Sequence, residues 1–168
     1  AGAGVGSADG FGPVNEAFDR AALGASAMLV GLSRRMLDMA VQYAGERQQF
    51  GVPIGSFQAI KHHLADATLA VEFAEPLVLR AATSLATGNP EAPVHVSMAK
   101  AATSDAANGA GRAALQVHGA IGYTVEYDLH LYMKRAWALA ARHGDAAFHR
   151  RGVRAAFLGV CSATRRAI

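Results

Sequence analysis

The stretch Tyr43-Ala-Gly-Glu-Arg-Gln-Gln-Phe-Gly-Val-Pro-Ile-Gly-Ser-Phe-Gln58 separates two long helical patterns in this chain of 168 residues. It combines helix-breaking glycine and proline with charged and aromatic side chains. The residues allow two interpretations. In the first, Arg47 is an anion or phosphate ligand beside a helix junction. In the second, Arg47 is solvated and the aromatic residues of the turn, Phe50 and Phe57, anchor it in the core.

Apolar residues recur at helical spacing on both sides of this stretch. The spacing predicts a first helix from about Asn15 to Ala44, with Asn15 as its N-cap. A second helix is predicted from about Ser56 to a point before Gly88. Pro76 falls inside the second helix, and we expect a kink or a break there because proline removes a backbone donor.

The rest of the chain continues the helical pattern. A third helix is predicted over about Pro93–Val117, and the glycines of residues 119–124 interrupt the pattern. A fourth is predicted over about Glu126–Arg142 and a fifth over about Asp145–Leu158. Strand signals are nearly absent. The sequence therefore predicts an all-α, up-and-down helical bundle of about four to five helices, whose short connections imply antiparallel neighbours.

Composition indicates one globular domain. The chain is 52% hydrophobic and 17% charged, which suits a single sizeable core. Residues 1–13 are rich in glycine and alanine and are predicted to be a flexible lead-in, with residues 14–168 forming the helical bundle domain. We expect no membrane span and no signal peptide. The single Cys161 cannot form an internal disulfide, so a cytoplasmic location is expected.

The formal charge of +3 is unevenly distributed. From Lys134 onward the lysines and arginines are opposed by Asp145 alone. No aromatic residues alternate with them to stack on bases, which favours solvated helix ends or anion sites over a nucleic-acid surface. The histidines show neither an HExxH pattern nor paired Cys/His spacing, so no metal site is expected.

The stretch from Tyr43 to Gln58 resembles the Glu-Arg-x-x-Phe-Gly…Phe-Gln signature of the acyl-CoA dehydrogenase family, in its C-terminal helical domain. In that family the arginine and the glutamine help to bind the FAD of a neighbouring subunit. A second segment, Gln116-Val-His-Gly-Ala-Ile-Gly-Tyr-Thr-Val-Glu126, resembles the Gln-x-x-Gly-Gly-x-Gly-Tyr/Phe motif, which contacts the same cofactor. The two segments occur in the family's order and at about its spacing. The resemblance implies a flavoprotein oxidoreductase of lipid metabolism that acts on acyl-CoA thioesters.

The resemblance assigns cofactor-binding roles to eight positions, namely Arg47, Phe50, Gln58, Gln116, Val117, His118, Gly119 and Ala120. Arg47 would pair with phosphate oxygens through its planar fork, while Phe50 packs on the adenosine and Gln58 hydrogen-bonds there. The backbone around Gly119 would approach the cofactor because glycine has no side chain to block it. From the residues alone, Gln116 is equally a buried glutamine at a helix end, and Gly119 a helix C-cap. Weak or absent FAD binding is expected of this segment alone.

The catalytic base departs from the family pattern. In most members a Tyr/Phe-Glu-Gly-Thr/Ser sequence supplies the glutamate that removes the α-proton. Counting forward from Tyr123, the matching place reads Arg142-His-Gly-Asp145, so His143 occupies the base position. Members that carry the base on the first helix would have it at position 21, which is Ala21 here. An imidazole can accept a proton near neutral pH, but no catalytic residue is assigned.

Two functional hypotheses follow from the resemblance. In the first, the chain is the C-terminal domain of an acyl-CoA dehydrogenase that contributes to FAD binding across a subunit interface. In the second, it is a non-catalytic partner, as in the heteromeric enzymes of actinobacterial sterol catabolism. Both imply homo- or hetero-oligomers, an acyl-CoA substrate in the full assembly and an electron-transfer flavoprotein as acceptor. Typical members also have an N-terminal helical domain and a middle β-domain, and residues 1–13 resemble the tail of the latter.

Overall fold

The computed structural model of the protein describes residues 11–158. Five helices make up most of this part of the chain, and they are α1 (Phe11–Glu46), α2 (Gln58–Ala86), α3 (Ala92–His118), α4 (Leu129–Ala141) and α5 (Ala146–Leu158). Two short strands, β1 (Gln48–Gln49) and β2 (Val52–Pro53), pair antiparallel between α1 and α2. Short 3-10 helices cover Ile54–Ser56 and Gly119–Tyr123. The predicted all-α bundle of four to five helices is confirmed.

Contacts at the two ends of the bundle show the direction of each helix. At one end, the Tyr43 ring near the end of α1 stacks on His118 at the end of α3, with ring centroids 4.6 Å apart. At the other end, Phe18 near the start of α1 lies edge-on to His143, which follows α4, at 6.1 Å. Helices α1 and α3 therefore run in the same direction, and α2 and α4 run in the opposite one. These ends are called the Tyr43 end and the His143 end below.

Helix α3 lies at the centre and packs against each of the other four helices. Alanine is the commonest of its buried residues, and small side chains let neighbouring helices approach closely. Larger buried side chains from α1 and α4 fill the remaining space, as Met36 and Met133 do around Gly111, where an added Cβ would lie 3.7 Å from each of them. Arg34 joins α1 to Glu72 and Glu75 of α2, but these exposed ion pairs contribute little to stability.

The helix boundaries differ from the predicted ones mainly at the start of α1 and the start of α4. Helix α1 begins at Phe11, so Asn15 lies inside it and is not its N-cap, and residues 11–13 of the predicted lead-in are helical. Pro13 fits the first turn of a helix, where its missing N–H is not needed. Helix α4 begins at Leu129, three residues later than predicted. Residues 1–10 of the lead-in lie outside the described part of the chain.

Helix α2 passes through Pro76 without a break. Of the kink or break predicted at this position, the break does not occur. Packing explains the continuity, because Val71, Ala74, Val78 and other residues on both sides of the proline are buried in one core. Over residues 11–158, no helix is long and apolar enough to cross a membrane.

Candidate functional site

The first motif segment folds as a tight hairpin at the Tyr43 end. Gln49 of β1 faces Val52 of β2, and the two residues between them, Phe50 and Gly51, have φ values of 52° and 77°. Positive φ at both positions is typical of the type I′ turn that joins antiparallel strands. The chain then returns to α1 at Gly55, where an added Cβ would lie 3.0 Å from the carbonyl oxygen of Ala44. Glycine is needed there for this close approach.

The aromatic side chains of the hairpin lie on the surface. Phe50 is 93% exposed and meets Phe57 edge-on, with ring centroids 6.3 Å apart. The interpretation of these two residues as core anchors is therefore wrong. A bulky residue with positive φ is strained, and such strain tends to occur at functional sites. Arg47 and Gln58 are also exposed, and within residues 11–158 Arg47 forms no side-chain ion pair.

The second motif segment divides into outward-facing and inward-facing residues. Gln116, Gly119 and Ala120 are exposed, whereas Val117 and His118 are buried. Gly119 ends α3 with φ 61°, and an added Cβ would meet nothing within 4 Å. The prediction that Gln116 is a buried glutamine at a helix end is wrong. The side chains of Val117 and His118 pack inside the protein, so only their backbone can take part in a surface site.

A groove of about 530 Å³ between α2 and α3 begins beside Gln116. Its floor consists of alanine and glycine, and its polar wall is formed by His63, Asp66, Arg112 and Gln116. Sequence reasoning missed the first three of these residues. Arg112 and Gln116 are four residues apart on α3 and therefore share a face, which is the signal that links Arg112 to the motif.

An aromatic stack holds the two motif segments at the same end of the bundle. The His118 ring contacts Tyr43 at 4.6 Å and Tyr127 at 4.7 Å, and the two tyrosine rings meet each other edge-on at 6.4 Å. Its Nδ1 donates a hydrogen bond to the carbonyl oxygen of Ala114 at 2.7 Å. Burial lowers the pKa of His118 from 6.5, and the Ala114 carbonyl opposes this in part. The stack therefore joins the end of α1, which leads into Arg47, to the end of α3.

The residues at the predicted base position lie at the opposite end. His143 is half-buried with φ 57°, and its carbonyl oxygen accepts a hydrogen bond from Nε2 of His149 at 2.8 Å. Gly144 follows with φ 85°, and an added Cβ would lie 2.5 Å from the Phe148 ring. The position next to His143 therefore requires glycine. The imidazole of His143 packs edge-on against Phe18.

A buried lysine is hydrogen-bonded to the backbone of this loop. Lys100 has no exposed surface, and its Nζ donates to the carbonyl oxygens of Ala140 at 2.9 Å and Gly144 at 3.1 Å, and to Ser104 Oγ at 3.2 Å. Burial lowers the pKa of Lys100 to about 8, although the Asp145 carboxylate opposes this. Nothing in the sequence pattern singled out Lys100, because two of its three partners are backbone carbonyls 40 and 44 residues away in the chain.

The two candidate regions are far apart within one chain. Phe18 contacts the His143 end and Tyr43 contacts the His118 end, and both belong to the unbroken helix α1. With a rise of 1.5 Å per residue, the 25 residues between them span about 37 Å. A group held by Arg47 and Gln116 is therefore remote from His143 of the same chain.

Comparison with known proteins identifies the family. Residues 8–158 match the C-terminal domain of acyl-CoA dehydrogenases. The acyl-CoA dehydrogenase IpdE2 of Mycobacterium tuberculosis is 39% identical over 128 residues, which cover 76% of this chain and 36% of the relative. A glutaryl-coenzyme A dehydrogenase in complex with glutaryl-CoA superposes with a TM-score of 0.81 at 31% identity, covering 89% of this chain and 38% of that one.

A second similar structure is a chain of the ChsE4–ChsE5 complex of Mycobacterium tuberculosis, with a TM-score of 0.79 at 28% identity, covering 87% of this chain and 39% of that one. The chain belongs to the acyl-CoA dehydrogenase family and has the fold of its C-terminal helical domain. It spans about 36% of the length of the first relative.

Proposed function

We propose that the Tyr43 end binds the adenosine diphosphate part of an FAD in a flavoprotein that carries out α,β-dehydrogenation of acyl-CoA thioesters. The observation that carries the proposal is the exposure of Arg47, Phe50 and Gln58 together with Gln116 and Gly119 at one end of the bundle. When bound, FAD supplies the acceptor for the hydride removed from the substrate.

The outward-facing residues fit the chemistry of this part of the cofactor. Arg47 offers a planar guanidinium that can pair with two phosphate oxygens. Phe50 presents an almost fully exposed ring on which an adenine can stack, and Gln58 and Gln116 offer amide donors and acceptors. The open space at Gly119 leaves its backbone accessible to the cofactor. Val117 and Ala120 have little to add beyond their backbone groups, and the imidazole of His118 faces the core.

The cofactor bound there is proposed to serve the active site of a neighbouring subunit. The Tyr43 end and the His143 end are about 37 Å apart along α1. A flavin positioned by Arg47 and Gln116 would therefore lie far from the base position of its own chain. This favours an oligomer of acyl-CoA dehydrogenase-like subunits, either identical or different.

Flavin content of the native full-length assembly tests the proposal. Arg47→Ala should lower the FAD bound per chain at least severalfold, because it removes a charged hydrogen-bond partner of the phosphates. Arg20→Ala is the matched control, since Arg20 is also exposed and, within residues 11–158, pairs with Glu16 toward the other end of α1. Equal flavin absorbance in the two purified variants would refute a role for Arg47 in FAD binding.

A second candidate function is a non-catalytic partner subunit that completes the FAD site of a catalytic homologue. Its specific support is the base position, where His143 packs against Phe18 and replaces the family glutamate. In the native assembly, His143→Ala should leave turnover within about twofold of the wild type. If His143→Ala abolishes turnover, the hypothesis that this chain is a non-catalytic partner subunit is wrong. His143→Glu should create or raise activity if the base alone is missing.

The remaining expectations for the whole protein belong to the same proposal. We infer a cytoplasmic flavoprotein of acyl-CoA breakdown that passes electrons to an electron-transfer flavoprotein. Membership of the family supports the redox chemistry, and the similar ChsE4–ChsE5 structure is itself a complex of two named subunits.

A further inference from the structure

His118 is the residue of the second motif segment whose side chain is buried deepest at the Tyr43 end. It is 3% exposed and contacts the rings of both Tyr43 and Tyr127, which also meet each other edge-on. The imidazole cannot touch a ligand on the surface while this packing holds. Its role at the cofactor end must therefore be exerted through the segments that it joins.

The hydrogen bonding of His118 is incomplete. Nδ1 carries the proton, because its partner, the Ala114 carbonyl, can only accept. Nε2 is then the unprotonated nitrogen of the neutral ring, and it is buried without a hydrogen-bond partner in the described part of the chain. A proton added to Nε2 would create a buried cationic donor with no acceptor, which is costly.

The surroundings of His118 do not supply that acceptor. Tyr43 stacks nearly parallel to the imidazole and Tyr127 is tilted toward it. Burial, reinforced by the Glu46 carboxylate, raises the pKa of Tyr127, so its phenol stays neutral when histidines titrate. The charged groups that influence the pKa of Tyr127 are Glu46, Arg35 and Asp128. None of them contributes to the pKa shift of His118.

We propose that His118 is a proton-operated latch on the cofactor-binding end. When neutral, it holds the end of α1 to the end of α3 through the Tyr43–His118–Tyr127 stack. When Nε2 takes a proton from solvent, the imidazole moves out of the stack and hydrogen-bonds to water. The segment Gln116–Ala120 then loses its fixed position. Gly119 adjoins the latch with open space around it, so this segment has room to move. The proposal rests on the proposed function of this end in holding FAD.

The direction of the pH effect follows from burial. Because burial lowers the pKa of His118 from 6.5, the latch stays closed at neutral pH and opens only below that value. The closed form binds fewer protons than the open form in this range. FAD affinity should therefore be flat above about pH 6.5 and fall by up to about tenfold per pH unit once the latch titrates.

The test measures the FAD dissociation constant of the native full-length assembly by flavin fluorescence between pH 7.5 and 5. The variants are His118→Phe, which keeps the stack, and His118→Gln, which keeps a polar acceptor, and neither titrates. His130→Phe is the matched control, because this half-buried imidazole lies nearby and bonds to the Tyr127 carbonyl. Wild type and His130→Phe should lose affinity in acid, and both His118 variants should retain it.

A second measurement needs no variant. Calorimetry of FAD release from the wild type at pH 5, in two buffers of different ionisation enthalpy, should show net proton uptake of up to one per site. Zero uptake, or an unchanged pH profile in both His118 variants, overturns the latch. An assembly that binds no FAD even at pH 7.5 contradicts the proposed function itself, and the latch falls with it.

Discussion

A single buried amine shows how the far end of the bundle is held. The Lys100 ammonium has no exposed surface, and its three hydrogen bonds all go to neutral oxygen atoms. Burying a charge without an opposite charge is costly. In return, the Lys100 ammonium holds the carbonyl groups of Ala140 and Gly144 in place on either side of His143. Lys100 is therefore best understood as the support of the loop that carries the base position.

The pKa of Lys100 predicts a pH dependence of stability. The folded protein releases this proton at about pH 8, whereas the unfolded chain keeps it up to about 10.5. The unfolded state binds more protons between these values, so stability rises with pH across this window. Relative to Lys100→Met, the free energy of unfolding of the wild type should rise by up to about 3 kcal/mol from pH 8 to 10.5. Chemical denaturation at both pH values measures this.

The control for this prediction is Lys61→Met, which removes an exposed lysine of α2. Its stability difference from the wild type should change little with pH, because an exposed amine has the same environment in both states. A difference between wild type and Lys100→Met that stays constant from pH 8 to 10.5 would show that Lys100 keeps an ordinary pKa when folded.

At the scale of elements, the helical periodicity predicted the five helices, and their ends were harder to predict. The N-cap preference of Asn15 is a local tendency, and Pro13 allowed α1 to continue upstream of it. The Pro76 break was not realised because buried residues on both sides hold α2 in place. The β1–β2 hairpin was not predicted, since its strand residues are exposed and show no alternation.

The candidate site was predictable as two segments, and the orientation of their side chains was not. The resemblance to the family's motifs placed Arg47, Gln58 and Gln116 in one functional group, and the structure brings their segments to one end. The sequence motifs could not show that the His118 side chain faces the core, because its orientation depends on Tyr43 and Tyr127 from other elements. Lys100 was missed for the same reason, since its partners are backbone oxygens distant in sequence.

The loop between α4 and α5 gives a prediction at the element scale. Gly144→Ala should lower the free energy of unfolding by about 2 kcal/mol or more, because φ is 85° and the added Cβ would meet Phe148 at 2.5 Å. Gly24→Ala is the control within α1, where an added Cβ meets nothing, and it should stabilise by up to about 1 kcal/mol. Thermal unfolding of both variants measures these changes. Equal effects of the two substitutions on the free energy of unfolding would show that the loop at Gly144 is not strained.

At the scale of the whole molecule, the two ends of the bundle carry different candidate functional residues. One end presents exposed groups suited to a dinucleotide, and the other presents the loop in which His143 lies at the predicted base position. The chain covers little more than a third of its relatives' length. Each end of this bundle is proposed to contribute to a different active site.

Arg47 and Gln116 are proposed to contact an FAD whose flavin ring serves another subunit. A cryo-EM or crystal structure of the native assembly with FAD gives the distance from the Arg47 guanidinium to the nearest FAD phosphate oxygen. We expect a hydrogen-bond distance of about 2.7–3.2 Å, with the flavin ring in the active site of a neighbouring subunit. A flavin ring beside His143 of the same chain, or an Arg47 that contacts no cofactor, would contradict it.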